Sequence, residues 1–295
     1  MKISANEDSN IPCLASHCLG PLHQLEEALL AFQSVTENWL REQWRKTPAP
    51  FYSSVDLRNA GFKLAPVDTN LFPAGFNNLN DRFISLAVQA AQETLERLLP
   101  GCLRILLIPE NHTRNSFYFE NLSTLQDILE KAGFEVRIGS LLEEMPHAKE
   151  IVLASGARIT LEPIVRVADQ IKVKDFLPCC ILLNNDLANG IPEILQGIEQ
   201  TILPNMNLGW HSRLKSNHFR HYAQVAGEFA QLLGLDPWLI TPLFSRCAEV
   251  DFMQREGEAC MMQESQQILH ATQKKYDQYH IKEKPYVVIK ADAGS

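Results

Sequence analysis

The sequence has no apolar run long enough to cross a bilayer. The runs at 105–108 and 180–183 fall far short of the ~20 residues that a membrane-spanning helix needs. A signal peptide is not indicated either, because residues 6–10 are all polar where an apolar segment would be required. These absences predict a soluble, cytoplasmic protein.

Positive charge is also scarce. The sequence has 27 Lys and Arg residues against 35 Asp and Glu residues, a formal net charge of −8 at pH 7. This balance disfavours general attraction to nucleic acid or to an anionic membrane, because both carry negative charge. The expected partners are therefore small molecules, with no nucleic acid and no membrane.

The cysteines lack a repeating spacing. Their number, seven, is odd, and Cys179 and Cys180 are adjacent, so the pattern favours reduced thiols over a disulfide framework. The residues that could form a zinc cluster are Cys13, His17, Cys18 and His23. Their spacing matches no common zinc finger, and Leu22 already begins an apolar helical stripe, so a metal site is not favoured there.

The composition that remains is that of a globular protein. Hydrophobic residues make up 45% of the 295 residues and charged residues 21%. A chain of this length is expected to form two domains, because single cores stop growing with chain length. Two stretches with apolar residues at three- and four-residue steps predict helices with a core-facing side. They are Leu22, Leu25, Leu29, Phe32, Val35 and Trp39, and then Ile84, Ala87, Ala91, Leu95 and Leu98.

From residue 103 the pattern is that of a βαβ unit. An apolar strand at 103–108 is followed by a helix and by a second strand at 134–138. A small hairpin is predicted within 151–161, and a third buried strand at 179–183. The fold class is therefore α/β with a parallel sheet, whose ligands gather at the carboxyl ends of the strands.

The C-terminal part is predicted to be helical to about residue 280. One helix covers roughly 252–278, and Asp236 before a proline indicates a helix N-cap. Tyr286–Ile289 predicts a short strand that leads to Lys290 and a small-residue loop. Because a lone strand has no partner and the chain stops at Ser295, we expect the polypeptide to be a fragment.

The segment SVDLRNAGFKLAPVDTNLFPAGFNNLN, residues 54–80, is rich in charge, proline, glycine and asparagine. Its composition predicts a rigid loop. Arg58 and Lys63 suit an α-carboxylate or a phosphate, and Asp56 or Asp68 suits an ammonium group, which together describe an amino-acid pocket. The alternative is an Ω-loop with internal salt bridges.

Polar residues also follow the predicted strands. Glu110, Asn111, His112 and Arg114 come after the first strand, at the expected ligand edge, but no glycine-rich dinucleotide fingerprint follows it. Asn184, Asn185 and Asp186 end the third strand and either bind substrate or cap the next helix. The basic stretch 209–218 either binds an anion at a helix start or is solvated.

Taken together, five phrases in this order resemble the proteobacterial ATP-grasp-like family of glutamate–cysteine ligases. They are the 54–80 segment, PENHTRN, LLNNDL, GWHSRLKSNHF and PYVVIKADAG, and the resemblance runs from Pro21 to Gly294. Members make γ-glutamylcysteine, the first step of glutathione biosynthesis. The resemblance implies a Rossmann-like, pre-ATP-grasp type α/β domain with an N-terminal helix over 1–215. It further implies a helical segment and an incomplete ATP-grasp region over 216–295.

The resemblance also implies ATP and Mg²⁺ as cofactors, with an acyl phosphate formed on the glutamate side chain and attacked by the cysteine amine. The implied catalytic cations are Arg58, Lys63 and Arg114. The implied substrate-binding residues are Asp56, Asp68, Asn70, Asn77, Asn111, Asn184, Arg213 and Lys215. Lys290 matches the ATP-grasp strand whose lysine contacts the nucleotide.

The chain departs from the family pattern after Lys290. The rest of the glycine-rich loop and the later acidic and amide magnesium ligands are missing, so no metal ligand is assigned. Two alternatives to the ligase therefore stay open. One is a truncated, non-catalytic amino-acid-binding module of the same family, and the other is a related carbon–nitrogen ligase with a different acceptor.

Overall fold

The computed structural model describes residues 21–111, 116–142, 145–247, 250–251 and 253–293. Their backbone contacts divide into two compact units. We call Pro48–Ser54, Thr69–Lys215 and Ala293 the sheet unit, and the described residues among 21–47, Val55–Asp68 and Ser216–Asp292 the helical unit. No helix in these ranges is long and apolar enough to span a bilayer.

The described residues form six α-helices and ten strands. The helices are α1 Pro21–Ala31, α2 Gln33–Lys46, α3 Ile84–Leu98, α4 Ser116–Lys131, α5 Lys215–Leu233 and α6 Glu258–Gln278. The first strands are β1 Ser54–Asn59, β2 Leu64–Asn70, β3 Arg104–Pro109, β4 Glu135–Ser140 and β5 Lys149–Val152. The others are β6 Arg158–Pro163, β7 Val165–Val167, β8 Gln170–Lys172, β9 Cys180–Asn184 and β10 Thr201–Leu203.

The sheet unit is built on one six-stranded sheet in the order β10-β9-β3-β4-β6-β5. Every neighbouring pair is parallel except β5 with β6, which is the hairpin expected from the sequence. The βαβ prediction is confirmed, because α4 connects β3 to its parallel neighbour β4. The fold class is α/β with a mainly parallel central sheet.

Both faces of the central strands are covered. Ile105 to Ile108 in β3 have no exposed surface, and neither have Cys180 to Leu183 in β9. Alternate residues point to opposite faces, so Leu107 and Leu182 pack with α3 and α4, whereas Leu106 and Ile181 pack with residues such as Ile171. Burial on both faces explains why these strands are continuous apolar runs.

The helical unit has a smaller, aromatic interior. Trp238 lies parallel to Tyr279, with ring centroids 5.4 Å apart, and parallel to Phe62 at 6.1 Å. Tyr276 of α6 packs edge-on against Phe62 at 5.3 Å. Asp236 accepts a hydrogen bond from the Trp238 backbone N–H, so the predicted cap is confirmed, although it begins a 3-10 turn. The residues of this cluster come from three separate parts of the chain.

Several local predictions are wrong. Residues 54–70 form a β1–β2 hairpin instead of a loop, with Gly61 at a φ of 81° in the turn. The first helical stripe is broken at Phe32 between α1 and α2, and Phe32 and Val35 are exposed, so only its start is core. The predicted strand at 286–289 is not in a sheet. The last helix begins at 258, after a glycine with positive φ.

One cysteine pair also departs from prediction. Cys102 and Cys179, which precede β3 and β9, form a disulfide with Cα atoms 5.7 Å apart, so the expectation of reduced thiols is wrong for this pair. Three of the four residues weighed as a zinc cluster lie outside the described residues. The fourth, His23, lies in α1 with its Nε2 3.1 Å from Glu27.

Candidate functional site

Two adjacent parallel strands end side by side in the sheet unit. Pro109 at the end of β3 is in register with Asn184 at the end of β9. The loops that follow the two strands therefore begin next to each other, at the carboxyl edge where parallel α/β sheets bind ligands. We call the residues around these two strand ends the carboxyl edge.

A buried amide cluster organises this edge. The Asn184 side chain donates to the carbonyl of Pro73 (2.6 Å) and accepts from the Asn121 amide (3.1 Å). Asn121 in turn accepts from the backbone N–H groups of Gly75 (2.8 Å) and Phe76 (3.0 Å). Because buried amides are costly when unpaired, these bonds fix the 73–76 segment beside the end of β9.

Two tyrosines complete the cluster. The Tyr118 hydroxyl donates to the Asn184 carbonyl (2.7 Å) and accepts from the Glu110 N–H (2.8 Å). Tyr52 donates to the Leu183 carbonyl. Burial raises the pKa of both phenols well above the ordinary value, so both stay protonated and act as donors.

The Glu110 carboxylate ties the two loops together. It accepts a hydrogen bond from the Asp186 N–H at 2.6 Å, and Asn185 donates to the Pro109 carbonyl at 3.2 Å. The Asp186 carbonyl accepts from the Trp210 N–H at 2.9 Å, which brings a third loop to the edge. Gly209 permits this approach, because a Cβ there would lie 2.7 Å from the Cβ of Leu187.

Two cations lie against the indole of Trp210 on this third loop. The Arg213 guanidinium carbon is 4.7 Å from the ring centroid, and the Lys215 Nζ is 4.5 Å from it. Arg213 also donates to the carbonyl (2.8 Å) and hydroxyl of Thr69. Both cations are half-buried, so they are held in place and still reach solvent. The carboxyl edge thus combines donors, fixed loops and positive charge, an arrangement suited to an anionic small molecule.

The structure brings six of the residues expected from the sequence into the sheet unit. They are Asn70, Asn77, Asn111, Asn184, Arg213 and Lys215. Asn77 and Asn111 are exposed, whereas Asn184 is 2% exposed and fully engaged in the amide cluster. The Asn70 side chain accepts from the Phe72 N–H at 2.9 Å, which is a local turn contact. Arg114 and His112 lie outside the described residues.

The other expected residues belong to the helical unit. Asp56 and Arg58 are exposed on β1, Asp68 is half-buried on β2, and Lys290 is exposed with its Nζ 3.5 Å from the Val67 carbonyl. The expected site residues are therefore divided between the two units.

Lys63 has a distinct environment in the helical unit. Its Nζ lies 4.5 Å from the centroid of Trp238 and donates to the Thr241 carbonyl at 2.7 Å. Burial lowers the pKa of Lys63 to about 8, against the opposing attraction of Asp236. These contacts describe a lysine packed into the aromatic interior.

Sequence reasoning missed Tyr118 and Asn121, and it did not find the role of Glu110 as a tie between loops. A signal for Asn121 was available, because it is a polar residue next to the apolar stripe of α4. The Tyr118 contacts carried no such signal, since they join residues 66 positions apart. No cluster of three metal-ligating side chains occurs within the described ranges.

The sheet and its polar carboxyl edge define an α/β protein with a site built from the ends of two adjacent parallel strands. The glutamate-cysteine ligase family model matches residues 26–295. The chain therefore belongs to the glutamate-cysteine ligase family, as the five sequence phrases predicted.

A solved structure agrees with this assignment. The chain is similar to "Putative gamma-glutamylcysteine synthetase" from Methylobacillus flagellatus KT, a crystal structure at 1.90 Å resolution. The two share 49% sequence identity and superpose with a TM-score of 0.86, over 90% of this chain and 63% of that chain. This chain thus spans 63% of the length of the solved relative. No curated protein matches it.

Proposed function

We propose that this protein is an ATP-dependent ligase that joins the side-chain carboxyl of glutamate to the amine of cysteine, the first step of glutathione biosynthesis. The observation that carries the proposal is the family match over residues 26–295. The likeness to the solved relative, over 90% of this chain, supports it.

The proposed reaction has two steps. A carboxylate does not react with an amine, so ATP first transfers its terminal phosphoryl group to the glutamate side chain and leaves as ADP. The cysteine amine then attacks the acyl phosphate, and phosphate leaves as the amide forms. Both steps place negative charge on oxygen, so fixed cations and hydrogen-bond donors accelerate them.

Arg213 and Lys215 are the cations that we assign to this charge. The bonds from Arg213 to Thr69 and the packing of both cations on Trp210 hold them before any ligand arrives. A preorganised cation loses little freedom on binding, which is what charge stabilisation in a transition state requires. The exposed amides of Asn77 and Asn111 are proposed as substrate donors beside them.

Asn184 is proposed to act through the amide cluster, in which its side chain already has protein partners. Asn70 is proposed to shape the turn at Phe72. For Arg114, Asp56, Arg58, Lys63 and Asp68 the family resemblance is the support, and their roles in substrate binding or catalysis remain proposals.

Lys290 is proposed to contact the nucleotide, as the ATP-grasp resemblance implies. Mg²⁺ stays part of the proposal through the family resemblance, although no three metal-ligating side chains meet among the described residues. No step is therefore assigned to a metal held by these residues, and a Rossmann-like sheet unit followed by an ATP-grasp region stays part of the proposal.

The test compares an arginine at the carboxyl edge, Arg213, with an arginine at the opposite, amino end of β3, Arg104. ADP release and γ-glutamylcysteine are measured with glutamate, cysteine, ATP and Mg²⁺, for this chain and for any longer form in which its sequence is found to continue. In whichever form is active, Arg213→Gln should lower kcat/KM by ~100-fold or more, the cost of removing one preorganised donor. The control is Arg104→Gln, because Arg104 is exposed at the amino end of β3 and should be neutral.

Each result decides between the alternatives. Product formation with cysteine but not with other amines supports the ligase, whereas turnover only with another acceptor identifies a related carbon–nitrogen ligase. Glutamate binding without ADP release in either form supports the non-catalytic module. Equal losses in Arg213→Gln and Arg104→Gln would contradict the role of the carboxyl edge.

A further inference from the structure

Two unbonded cysteines meet in the helical unit. Cys260 lies in the first turn of α6, and Cys247 lies at the end of the segment Thr241–Cys247. Their Sγ atoms are 2.7 Å apart, whereas a disulfide bond measures ~2.05 Å. The two thiols are thus in direct contact without being bonded.

The contact is maintained by the surrounding chain. The Ser245 hydroxyl hydrogen-bonds the carboxylate of Glu264, one turn beyond Cys260 on α6. The Arg246 guanidinium pairs with Asp292 at 2.8 Å, and Asp292 also accepts from the N–H of Ser216 at 2.7 Å. The segment that ends at Cys247 is therefore tied to α6 through Ser245 and to Asp292 through Arg246.

Their environment differs from that of Cys180, the other free cysteine described. Cys180 is completely buried in β9, and burial raises the pKa of its thiol to about 12, so it is inert. Cys247 and Cys260 are only half-buried, which leaves them accessible to a small oxidant. The adjacent Cys260 is the main cause that raises the pKa of Cys247 to about 11, so Cys247 keeps its proton at neutral pH.

We propose that Cys247 and Cys260 form a site of reversible thiol–disulfide exchange with low-molecular-weight disulfides. The Cys260 thiolate attacks one sulfur of a disulfide RSSR, its S–S bond breaks, and one RS⁻ leaves and takes up a proton. Cys247 then loses its proton to solvent and attacks the Cys260 sulfur, which releases the second RSH. Two protein thiols are oxidised by two electrons, and RSSR is reduced to two RSH.

Oxidation of the two cysteines affects the residues around Asp292, which lies two positions after Lys290. A Cys247–Cys260 bond fixes the end of Thr241–Cys247 to α6 and so restrains Arg246 at Asp292. The oxidised form therefore holds the residues around Asp292 more firmly than the reduced form does.

The test equilibrates the full chain in 2-hydroxyethyl disulfide and 2-mercaptoethanol at increasing ratios. Each sample is quenched with acid, unfolded in guanidinium chloride, alkylated with N-ethylmaleimide near neutral pH, digested and measured by mass spectrometry. We expect a cross-linked pair of peptides containing Cys247 and Cys260 that appears with the oxidant and is lost with dithiothreitol, while Cys180 protected from the oxidant serves as internal control.

Single variants separate the two steps. In Cys247→Ser, Cys260 should stop as a mixed disulfide with 2-mercaptoethanol, and in Cys260→Ser, Cys247 should do the same, because neither variant keeps a second thiol that could displace the mercaptoethanol. The proposal is overturned if both cysteines stay as alkylatable as Cys180 in the most oxidising buffer. It is equally overturned if either one pairs with Cys13 or Cys18 in place of the other.

Discussion

The sheet unit and the helical unit bury their apolar residues in different ways. In the sheet unit, whole strands such as Ile105 to Ile108 are inaccessible, because helices and loops cover both faces. In the helical unit, α2 buries none of its residues, and the aromatic residues that are buried form a small cluster around Trp238. A strand that is covered on both faces can be recognised in the sequence from its continuous run of apolar residues. An aromatic cluster cannot, because its residues lie far apart in the sequence.

The largest expected difference between the units concerns core truncation. Leu182→Ala removes a leucine with no exposed surface from β9 and should lower the free energy of unfolding by about 2–5 kcal/mol. Leu232→Ala in α5 removes a leucine that is 46% exposed and should change it by less than about 0.5 kcal/mol. Urea unfolding followed by circular dichroism measures both, and similar losses would remove the distinction between the two units.

A smaller difference in stability is expected when one glycine of each unit is replaced by alanine. Gly209→Ala places a Cβ 2.7 Å from the Cβ of Leu187 at the carboxyl edge and should destabilise by about 1–3 kcal/mol. Gly227→Ala in α5 meets no atom within 4 Å and should stabilise by about 0.5–1 kcal/mol, because alanine favours helix. Thermal melts of the two variants should shift in opposite directions. A neutral Gly209→Ala would show that the third loop is not held closely.

The smallest effect is a pH dependence from Lys63. Its pKa falls from 10.5 to about 8 on folding, so between these values the unfolded state binds more protons than the folded state. Stability should therefore rise as pH increases from about 8 towards 10.5, and the destabilising burial of charge is fully present below pH 8.

Urea midpoints at several pH values between 7 and 10 check this expectation. Lys63→Met should remove the rise, while Lys284→Met, at an exposed lysine of the same unit, should keep it. A rise of the same size in Lys63→Met would assign the pH dependence to another group.

The sequence predicted the central strands, α3, the βαβ unit and the family correctly, because each depends on local patterns. It failed for β1, whose residues after Ser54 are exposed and therefore lack the alternation that marks a half-buried strand. At the carboxyl edge, the position of Asn184 followed from strand order. Its partners Pro73 and Asn121 did not, since tertiary packing alone brings them together.

The two indoles with cations over their faces make the chain its own optical probe. Trp210 belongs to the sheet unit and carries Arg213 and Lys215, whereas Trp238 belongs to the helical unit and carries Lys63. Indole emission responds to charge near the ring, so an anion that binds beside Arg213 and Lys215 shifts the fluorescence of Trp210. Two variants, one that keeps only Trp210 and one that keeps only Trp238, with the other three tryptophans replaced by phenylalanine, therefore report changes near the cations of one unit at a time without a label.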